Sequence, residues 1–222
     1  MNNFSHYKIL RVAKIIFLIF AAAAAVLSRS YGIKGLCACF FLLTLFDLFE
    51  LDGVKKEYQN LYQSAYFDSL TGIPNRFSAD VYVRKYFSDK NVCVAIADID
   101  GLKEINDGWG HQEGDVLIRG FATLFFECAS PYGFAARNGG DEFLAIFTGK
   151  DSVGNMEKFR QELAAAVEDY NSEASHPVAY SIGCASAREC GCEGIHQVIS
   201  TADRKMYTNK QSKKKAYTKG GS

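Results

Sequence analysis

The chain has 222 residues, of which 48% are hydrophobic and 23% are charged. This length is natural for one domain with a smaller appendage, and it is sufficient to bury a substantial core. The 25 basic and 25 acidic residues give a formal net charge of zero, which offers no global attraction to a polyanion. No extended basic groove is visible either, so nucleic acid is not expected as a partner.

Two apolar segments begin the chain. Ile15 to Leu27 is an unbroken apolar run, and Gly35 to Phe46 is nearly all apolar. We expect residues 1–50 to form a hydrophobic helical hairpin in the membrane, with two short spans at about 9–28 and 33–49. Lysine and arginine are in excess before the first segment and after the second, which favours both termini on the cytoplasmic side.

Two other interpretations of these segments remain open. The basic start, the apolar run and the small residues near Ala25 are also typical of a cleaved signal peptide. Because a span needs about 20 apolar residues, the short runs also suit a helical hairpin that is buried within a soluble protein. Membrane insertion is the interpretation that we favour.

A helical stripe follows, between residues 51 and 66. Apolar side chains recur there at spacings of three or four residues, at Leu51, Val54, Tyr58, Leu61 and Ala65. This spacing places them on one face of a helix. We expect a linker or signalling helix that pairs with a second copy in a short parallel coiled coil. The alternative is a helix that packs against its own domain.

From residue 67 onward, the pattern alternates between helices and strands. Helices are predicted at 75–88, 112–128, 156–173 and 195–210, and strands at 92–97 and 178–187, with a two-stranded hairpin around residues 132–147. This order predicts an α+β domain over 67–215, followed by a flexible tail over 216–222. The Cys190-Gly191-Cys192 segment is expected to be an ordinary reduced loop.

An acidic motif ends the first predicted strand of this domain. It reads Asp98-Ile99-Asp100, and side chains two residues apart lie on the same face of a strand. Paired carboxylates at a strand end suit Mg²⁺, which usually takes one or two carboxylates together with substrate phosphates. Gly101 permits a tight loop whose N–H groups cradle phosphates, and Lys103 is a mobile charge suited to phosphoryl transfer.

A second acidic motif, Gly-Gly-Asp-Glu-Phe, occupies residues 139–143. Its glycines predict a hairpin turn with positive φ or close backbone approach. Because side chains alternate along a strand, Asp141 and Glu142 are expected to point to opposite faces. Between the two motifs, Asn106 and Asp115 offer an amide and a carboxylate that match the hydrogen-bonding edge of guanine.

These motifs resemble those of the GGDEF-domain diguanylate cyclases. The family's opening pattern stands here as Asp-Ser-Leu-Thr-Gly-Ile-Pro-Asn-Arg at 68–76, and its Asp-x-Asp to Gly-Asp motif is intact from Asp98 to Asp115. The later elements also fit, namely Arg137 before the signature, Ser181-Ile182-Gly183 in a strand, and residues 202–207 with Lys210 in the last helix. The resemblance covers about residues 66–215.

The resemblance implies both a fold and an activity. The fold is a central antiparallel-type sheet wrapped by helices, similar to nucleotidyl cyclases and palm-type polymerases. The activity is the condensation of two GTP molecules into cyclic di-GMP with release of two pyrophosphates, dependent on Mg²⁺, with Mn²⁺ as the alternative ion. Because the product is two-fold symmetric, a homodimer is expected, with each domain supplying half of the site. The location implied is the bacterial inner membrane, with the catalytic domain in the cytoplasm.

The resemblance also implies a role for each position of the site. Asp98, Asp141 and the carbonyl of Ile99 hold the metal, and Asp141 also activates the ribose 3′-hydroxyl group. Lys103 stabilises charge on the phosphates, and Glu142 supports the metal site. The remaining substrate contacts are assigned to Leu102, Asn106, His111, Asp115, Lys210 and Lys214.

Two departures from the family pattern and one alternative function remain. The Arg-x-x-Asp product-inhibition site of many members is absent, because residues 130–133 read Ser-Pro-Tyr-Gly. The family's last helix often continues into Gly-Arg-Asn, whereas this chain has Lys213-Lys214-Lys215. The alternative function is a degenerate domain that binds GTP or another nucleotide as a sensor without turnover.

Overall fold

The computed structural model describes residues 3–27 and 31–220. The chain divides into two compact units, Met1–Gln63 and Ser64–Ser222. The helices are α1 Asn3–Leu27, α2 Tyr31–Tyr66, α3 Arg76–Lys85, α4 Leu102–Trp109, α5 His111–Ala129, α6 Ser152–Glu173, α7 Ala187–Cys190 and α8 Ile195–Gly220. The strands are β1 Cys93–Asp100, β2 Phe134–Arg137, β3 Glu142–Phe147 and β4 Ala179–Ser186.

The amino-terminal unit consists of α1 and the greater part of α2. The two helices touch, since Lys14 Nζ lies 3.1 Å from Asp47 Oδ2 and the ring centroids of Phe17 and Phe40 are 5.0 Å apart. Many large apolar side chains of both helices remain exposed, including that of Phe20, which is 72% exposed. This unit therefore carries an apolar surface that is unusually large for its size.

The predicted membrane spans are not supported by the structure. In the part of the chain that the structure describes, no helix is both long enough and apolar enough to cross a membrane. The predicted spans were about 9–28 and 33–49, and residue 28 lies outside the described residues. Lys14 and Asp47 fall within these two segments, so their charges shorten the apolar runs on which the prediction depended.

A four-stranded antiparallel sheet organises the second unit, with strand order β2-β3-β1-β4. Side chains of the inner strand β1 alternate between two cores. Ala95 and Ala97 face a core that includes phenylalanines of α5 and α6, whereas Val94 and Ile96 face a core shared with α3 and α8. The predicted α+β domain, with a central antiparallel sheet wrapped by helices, is confirmed.

Helix α4 was not predicted from the sequence. It begins after Gly101, whose φ of 75° is a left-handed conformation that glycine adopts without steric cost. Gly110, with a φ of 89°, then separates α4 from α5. A glycine at each end made this segment resemble a loop, yet Leu102 and Ile105 pack against the core and hold it as a helix.

Helix α8 lies directly on β4 because Gly183 has no side chain. A methyl group at Gly183 would lie 2.1 Å from the carbonyl oxygen of Ala202 and 2.1 Å from the backbone nitrogen of Met206. The helix continues to Gly220, past residue 215, where the sequence predicts that the domain ends and a flexible tail begins. This continuous helix carries the basic carboxyl-terminal segment to the end of the sheet.

The segment that precedes α8 contains a disulfide bond. Cys190 and Cys192 are bonded, with their Cα atoms 5.2 Å apart. Gly191 lies between them with a φ of 62°, which turns the chain sharply enough to bring the two sulfur atoms together. The expectation of an ordinary reduced loop at this position is therefore wrong.

Replacing Gly183 with alanine is expected to displace α8 from the sheet. The new methyl group would meet backbone atoms of α8, so the helix itself must move. Overpacking of this kind costs roughly 1–3 kcal/mol, which lowers the Tm of a domain of this size by roughly 2–12 °C. Calorimetry measures the change, with Gly108→Ala as the control because the space around Gly108 is open. Equal Tm values for the two variants would contradict the close packing of α8.

Candidate active site

The two acidic motifs meet at the carboxyl end of β1. In the register of β1 with β3, Asp98 lies directly opposite Glu142. The N–H group of Ile99 donates a hydrogen bond to the carbonyl oxygen of Asp141 at 3.1 Å. Directly opposed residues of paired strands carry their side chains on the same face. Backbone pairing alone therefore gathers Asp98, Asp141 and Glu142, which are distant in sequence, at one end of the sheet.

The Asp98 carboxylate is nearly buried and has charged neighbours. Burial raises the pKa of Asp98, and the negative charges of Asp141 and Asp100 raise it further. Lys210 opposes this rise, because its Nζ donates a hydrogen bond to Asp98 Oδ1. Burial alone would lower the pKa of Lys210, but its bond to Asp98 and the neighbouring carboxylates raise it, so the ammonium group stays charged. The negative charges of Asp98, Asp100 and Asp141 therefore lie close together, and Lys210 offsets part of them.

This acidic corner fits a divalent cation that is bound together with a substrate. Within residues 3–27 and 31–220, no group of three or more histidine, cysteine, aspartate or glutamate side chains is arranged to hold a metal ion by itself. Mg²⁺ usually takes only one or two carboxylates and completes its coordination with water and phosphate oxygens. Asp98 and the neighbouring Asp141 supply that number, and their mutual repulsion favours a cation between them.

A cleft of about 720 Å³ is lined by the acidic corner and by α8. Its basic side is formed by α8, which contributes Arg204, Lys210 and Lys214. The remaining lining residues are Asp98, Glu142, Asp203, Met206, Tyr207, Thr208 and Gln211. A cleft that combines the carboxylates of the strand end with cations of α8 suits a polyphosphate that bridges a metal ion and lysine side chains.

A second cleft, of about 360 Å³, lies on the other side of the signature turn. It is lined by Leu102, Lys103, Asn106, Asp107, His111, Ile118, Arg137, Gly140 and Asp141. Asp141 lines this cleft whereas Glu142 lines the larger one, in agreement with the expectation that these neighbours point to opposite faces. The signature turn therefore separates the two clefts. The larger cleft suits phosphate groups, and the smaller cleft has polar side chains suited to a nucleobase.

Most of the predicted site residues lie in one or other of these clefts. Asp115 and Ile99 are different: neither is among the residues that line the two clefts. Asp115 lies near the start of α5. The side chain of Ile99 is buried in the core, which leaves only its backbone carbonyl as a candidate ligand.

Asn106 is held against the beginning of α5 by the absence of a side chain at Gly114. A methyl group at Gly114 would lie 2.0 Å from Asn106 Oδ1, so the amide group occupies the space that the glycine leaves. Asp115 is the next residue along α5. The packing of α4 on α5 therefore brings the predicted base-reading amide and carboxylate into the same neighbourhood.

Arg137 ties the signature turn to the start of the domain, a role that the sequence did not reveal. Its Nη1 donates to Asp68 Oδ1 at 2.8 Å, and its Nη2 and Nε donate to the carbonyl oxygen of Gly140 at 2.6 and 3.2 Å. Asp68 Oδ1 also accepts hydrogen bonds from the N–H and hydroxyl groups of Thr71. The only sequence signal was a pair of opposite charges in two separate motifs.

The two glycines of the signature do not have positive φ values, so the positive-φ part of the expectation is wrong. Among the described residues, positive φ occurs at Gly72, Gly101, Gly110, Gly149 and Gly191. At Gly139 the constraint is the approach of a side chain, because a methyl group there would lie 3.2 Å from Glu142 Oε2. A methyl group at Gly140 would meet no atom within 4 Å.

Comparison with known protein families shows which family this chain belongs to. The profile described as "Diguanylate cyclase, GGDEF domain" matches residues 65–216. The chain belongs to the GGDEF family. This GGDEF protein is 34% identical over 171 residues to the biofilm architecture maintenance protein MbaA of Vibrio cholerae, and the match covers 71% of this chain and 22% of MbaA.

Other relatives of this GGDEF protein include both a curated protein and a solved structure. It is 28% identical over 166 residues to diguanylate cyclase DgcS of Shewanella oneidensis, which covers 72% of this chain and 55% of DgcS. The chain thus spans less than two-thirds of the length of MbaA and of DgcS. The crystal structure of the coiled coil and GGDEF domain of DgcB from Caulobacter crescentus, in complex with c-di-GMP, has a TM-score of 0.63 and 28% identity, covering 76% of this chain and 92% of that one.

The Arg137–Asp68 pair is expected to make stability depend on pH. Burial would raise the pKa of Asp68, but hydrogen bonds from Arg137 and Thr71 outweigh this and hold it below its ordinary value. A carboxylate with a lowered folded-state pKa stabilises the fold fully above about pH 4, and this contribution is lost as the pH falls through the folded-state pKa. We therefore expect Asp68→Asn to lower the free energy of unfolding by roughly 1–3 kcal/mol at pH 7.

Urea unfolding of both proteins over a range of pH measures this effect. The difference between the unmutated protein and Asp68→Asn is expected to shrink as the pH falls below about 4, because the unmutated carboxylate is then protonated. Asp80→Asn, at an exposed position on α3, is the control and is expected to change little at any pH. A difference for Asp68→Asn that stays constant from pH 7 to pH 3 would contradict the ionised pair.

Proposed function

We propose that this protein is a diguanylate cyclase, which condenses two GTP molecules into cyclic di-GMP and releases two pyrophosphates. The observation that carries the proposal is the antiparallel register that gathers Asp98, Asp141 and Glu142 between a basic cleft and a base-sized cleft. Membership of the GGDEF family, and the name of the DgcS relative, support the same activity. The Mg²⁺ requirement, the substrate and the residue roles are parts of this proposal.

The proposed position of GTP follows from the two clefts. The guanosine part occupies the smaller cleft, where Leu102, Asn106 and His111 contact it and Asp115 pairs with the N–H donors of the base. The terminal phosphates extend into the larger cleft, toward Lys210 and Lys214. A nucleotide in this position crosses the acidic corner, with its reacting phosphate beside the carboxylates.

The proposed reaction is attack by a ribose 3′-oxygen on the α-phosphate of a second GTP. When bound, Mg²⁺ neutralises phosphate charge and orients the triphosphate, held by Asp98, Asp141 and the Ile99 carbonyl; Mn²⁺ is the alternative ion. Asp141 accepts the proton of the 3′-hydroxyl group as the new P–O bond forms and pyrophosphate leaves. Lys103 stabilises the negative charge that develops on the phosphate oxygens, and Glu142 supports the orientation of Asp98 opposite it.

Lys210 is proposed to exchange partners when GTP binds. Without nucleotide, its ammonium group neutralises part of the charge around Asp98 through a hydrogen bond. A nucleotide with its cation replaces that neutralising role, which frees Lys210 to bind the terminal phosphates in the same cleft. This exchange avoids leaving the nearly buried Asp98 carboxylate without a positive neighbour in either state.

A homodimer is proposed because each domain offers one GTP site and the product needs two. The two domains must face each other so that each 3′-hydroxyl group reaches the other nucleotide. In α2, the apolar stripe of residues 51–66 includes Val54, Tyr58 and Leu61, which are 51%, 61% and 63% exposed. We propose that this stripe pairs with a second copy as a parallel coiled coil.

The proposed location is the bacterial inner membrane, with the catalytic unit on the side where GTP is made. Support comes from the apolar surface of α1 and α2 and from the basic residues that flank the apolar segments of these helices. Fractionation of bacterial cells that express the full chain measures this location directly. Recovery of the chain in the supernatant, under low-salt conditions that retain peripheral proteins, would contradict membrane attachment.

Asp141→Asn and Asp98→Asn are expected to abolish most of the cyclase activity. Loss of a general base lowers kcat by roughly 100-fold to 10,000-fold, and Asp98→Asn weakens the metal site that aligns the same step. The assay incubates the purified full chain with GTP and Mg²⁺ and quantifies cyclic di-GMP and pyrophosphate by chromatography. Asp80→Asn is the control, because it removes an exposed carboxylate from α3 and leaves the clefts unchanged.

The same assay separates the cyclase from a nucleotide sensor and tests the dimer. A sensor would bind GTP without forming product in the unmutated protein, and this result would reject the proposed activity. Product formation per protein molecule is expected to rise with protein concentration, because two domains must meet to form the site. A specific activity that is independent of concentration in a protein shown to be monomeric would reject the shared site.

Gly114→Ala is expected to weaken GTP binding by displacing Asn106 from the smaller cleft. The new methyl group would overlap the amide group of Asn106, which must then turn away from the base. Loss of one hydrogen bond to a base corresponds to roughly a fivefold to tenfold rise in Kd. Titration calorimetry with a non-hydrolysable GTP analogue and Mg²⁺ measures this, with Gly108→Ala in α4 as the control. An unchanged Kd for Gly114→Ala would show that Asn106 does not contact the nucleotide.

A further inference from the structure

We propose that Lys213 is a positioning residue, which anchors the carboxyl-terminal part of α8 so that Lys210 and Lys214 stay at the phosphate cleft. This inference rests on the proposed function. The Nζ of Lys213 donates a hydrogen bond to the backbone carbonyl oxygen of Tyr180 and lies 3.4 Å from Asp100 Oδ2. It also lies 5.6 Å from the centroid of the Tyr180 ring, within cation–π range.

The spacing of residues explains why two lysines of α8 meet two aspartates of β1. Asp98 and Asp100 are two positions apart on a strand, so they share a face and lie about 6.6 Å apart along it. Lys210 and Lys213 are three positions apart on a helix, so they also share a face, with a rise of about 4.5 Å. The lysine side chains are long and flexible enough to cover the difference between these two spacings. Helix and strand are thus joined by two successive ion pairs, Lys210–Asp98 and Lys213–Asp100.

The second ion pair is built differently from the first. Asp100 accepts hydrogen bonds from the Ser181 hydroxyl group at 2.9 Å to each carboxylate oxygen, so its carboxylate is already oriented by β4. Lys213 joins this group through both Asp100 and the carbonyl oxygen of Tyr180, the residue before Ser181. Asp100 is also outside the set that we assign to the metal. The Lys213–Asp100 contact can therefore persist when nucleotide binds at Asp98.

An anchor is needed in this part of α8 because its apolar packing ends early. The buried apolar residues of the helix are Ile195, Val198, Ala202 and Met206, and the described side chains from 207 to 215 include no further buried ones. In that segment, the contacts with the sheet include those of Asn209 with the N–H group of Ile182, Lys210 with Asp98, and Lys213 with Asp100 and Tyr180.

The anchor matters most at the moment of binding. When Lys210 leaves Asp98 for the terminal phosphates, the helix loses one of its polar contacts with the sheet. Lys213 is one turn further along and keeps its contacts, so the helix end remains beside the cleft. Lys214, which also lines the cleft, is the neighbour of Lys213 and is held by the same anchor. Lys213 thus acts through Lys210 and Lys214 and does not itself touch the substrate.

The test measures steady-state kinetics and amide hydrogen exchange on the full chain. Lys213→Gln is expected to raise the KM for GTP roughly threefold to fivefold, the scale of a partly exposed ion pair, with kcat changed less than about twofold. Lys213→Arg is expected to restore KM, because its guanidinium group can reach the same acceptors. The matched control is Lys215→Gln, which removes the same charge from an exposed position two residues away.

A double-mutant cycle with Asp100 tests the partner. Asp100→Asn is expected to raise KM as Lys213→Gln does, and the double variant is expected to be no worse than either single variant. Additive effects of the two changes would overturn the pairing. An equal rise in KM for Lys215→Gln and Lys213→Gln would also overturn the proposal, because it would reveal a general effect of charge.

Hydrogen exchange without nucleotide keeps this inference separate from the proposed function. The backbone amides of residues 207–215 are expected to exchange faster in Lys213→Gln than in the unmutated protein and in Lys215→Gln. If the unmutated chain forms no cyclic di-GMP, the cyclase proposal fails, and exchange alone then decides whether Lys213 anchors α8. Unchanged exchange overturns the anchor, and faster exchange with an unchanged KM in an active enzyme overturns its positioning role.

Discussion

The antiparallel pairing of β1 with β3 is the constraint on which the site depends. This register places Asp98 opposite Glu142 and bonds the Ile99 N–H group to the carbonyl oxygen of Asp141. Because β1 is an inner strand and is covered on both faces, a shift of its register by one residue would move core side chains into the wrong layer. The hydrophobic core therefore secures the alignment of the polar residues that the proposed chemistry requires.

Charge is distributed around this alignment so that several of the carboxylates have cationic partners. Lys210 bonds to Asp98 and Lys213 bonds to Asp100, both from the same face of α8. On the opposite side of the turn, Arg137 links Gly140 to Asp68 and so restrains the segment that carries Asp141. Burial and repulsion among the carboxylates both raise the pKa of Asp98, which agrees with the proposed binding of a divalent ion and a polyphosphate at this site.

The sequence predicted what depends on local patterns and missed what depends on distant contacts. The run before Asp98 is apolar and rich in β-branched residues, so β1 could be predicted together with the carboxylates at its end. Helix α4 could not, since Gly101 and Gly110 resemble loop residues and only packing against the core makes the segment helical. The Arg137–Asp68 pair joins residues 69 positions apart, and no local pattern reports such a contact. The predicted membrane spans rested on short apolar runs, which the structure does not support.

The unbroken course of α8 has a mechanical consequence. From Ala202, which touches the sheet at Gly183, to Lys214 the helix extends roughly 18 Å at about 1.5 Å per residue. A rigid rod of that length converts a tilt of about 3° at its fixed end into a movement of about 1 Å at its tip, a displacement large enough to slow an enzyme markedly. A contact that tilts α8 near Ala202 would therefore cause a larger movement at Lys214. The activity of the site could in this way be changed by an event outside the reacting centre.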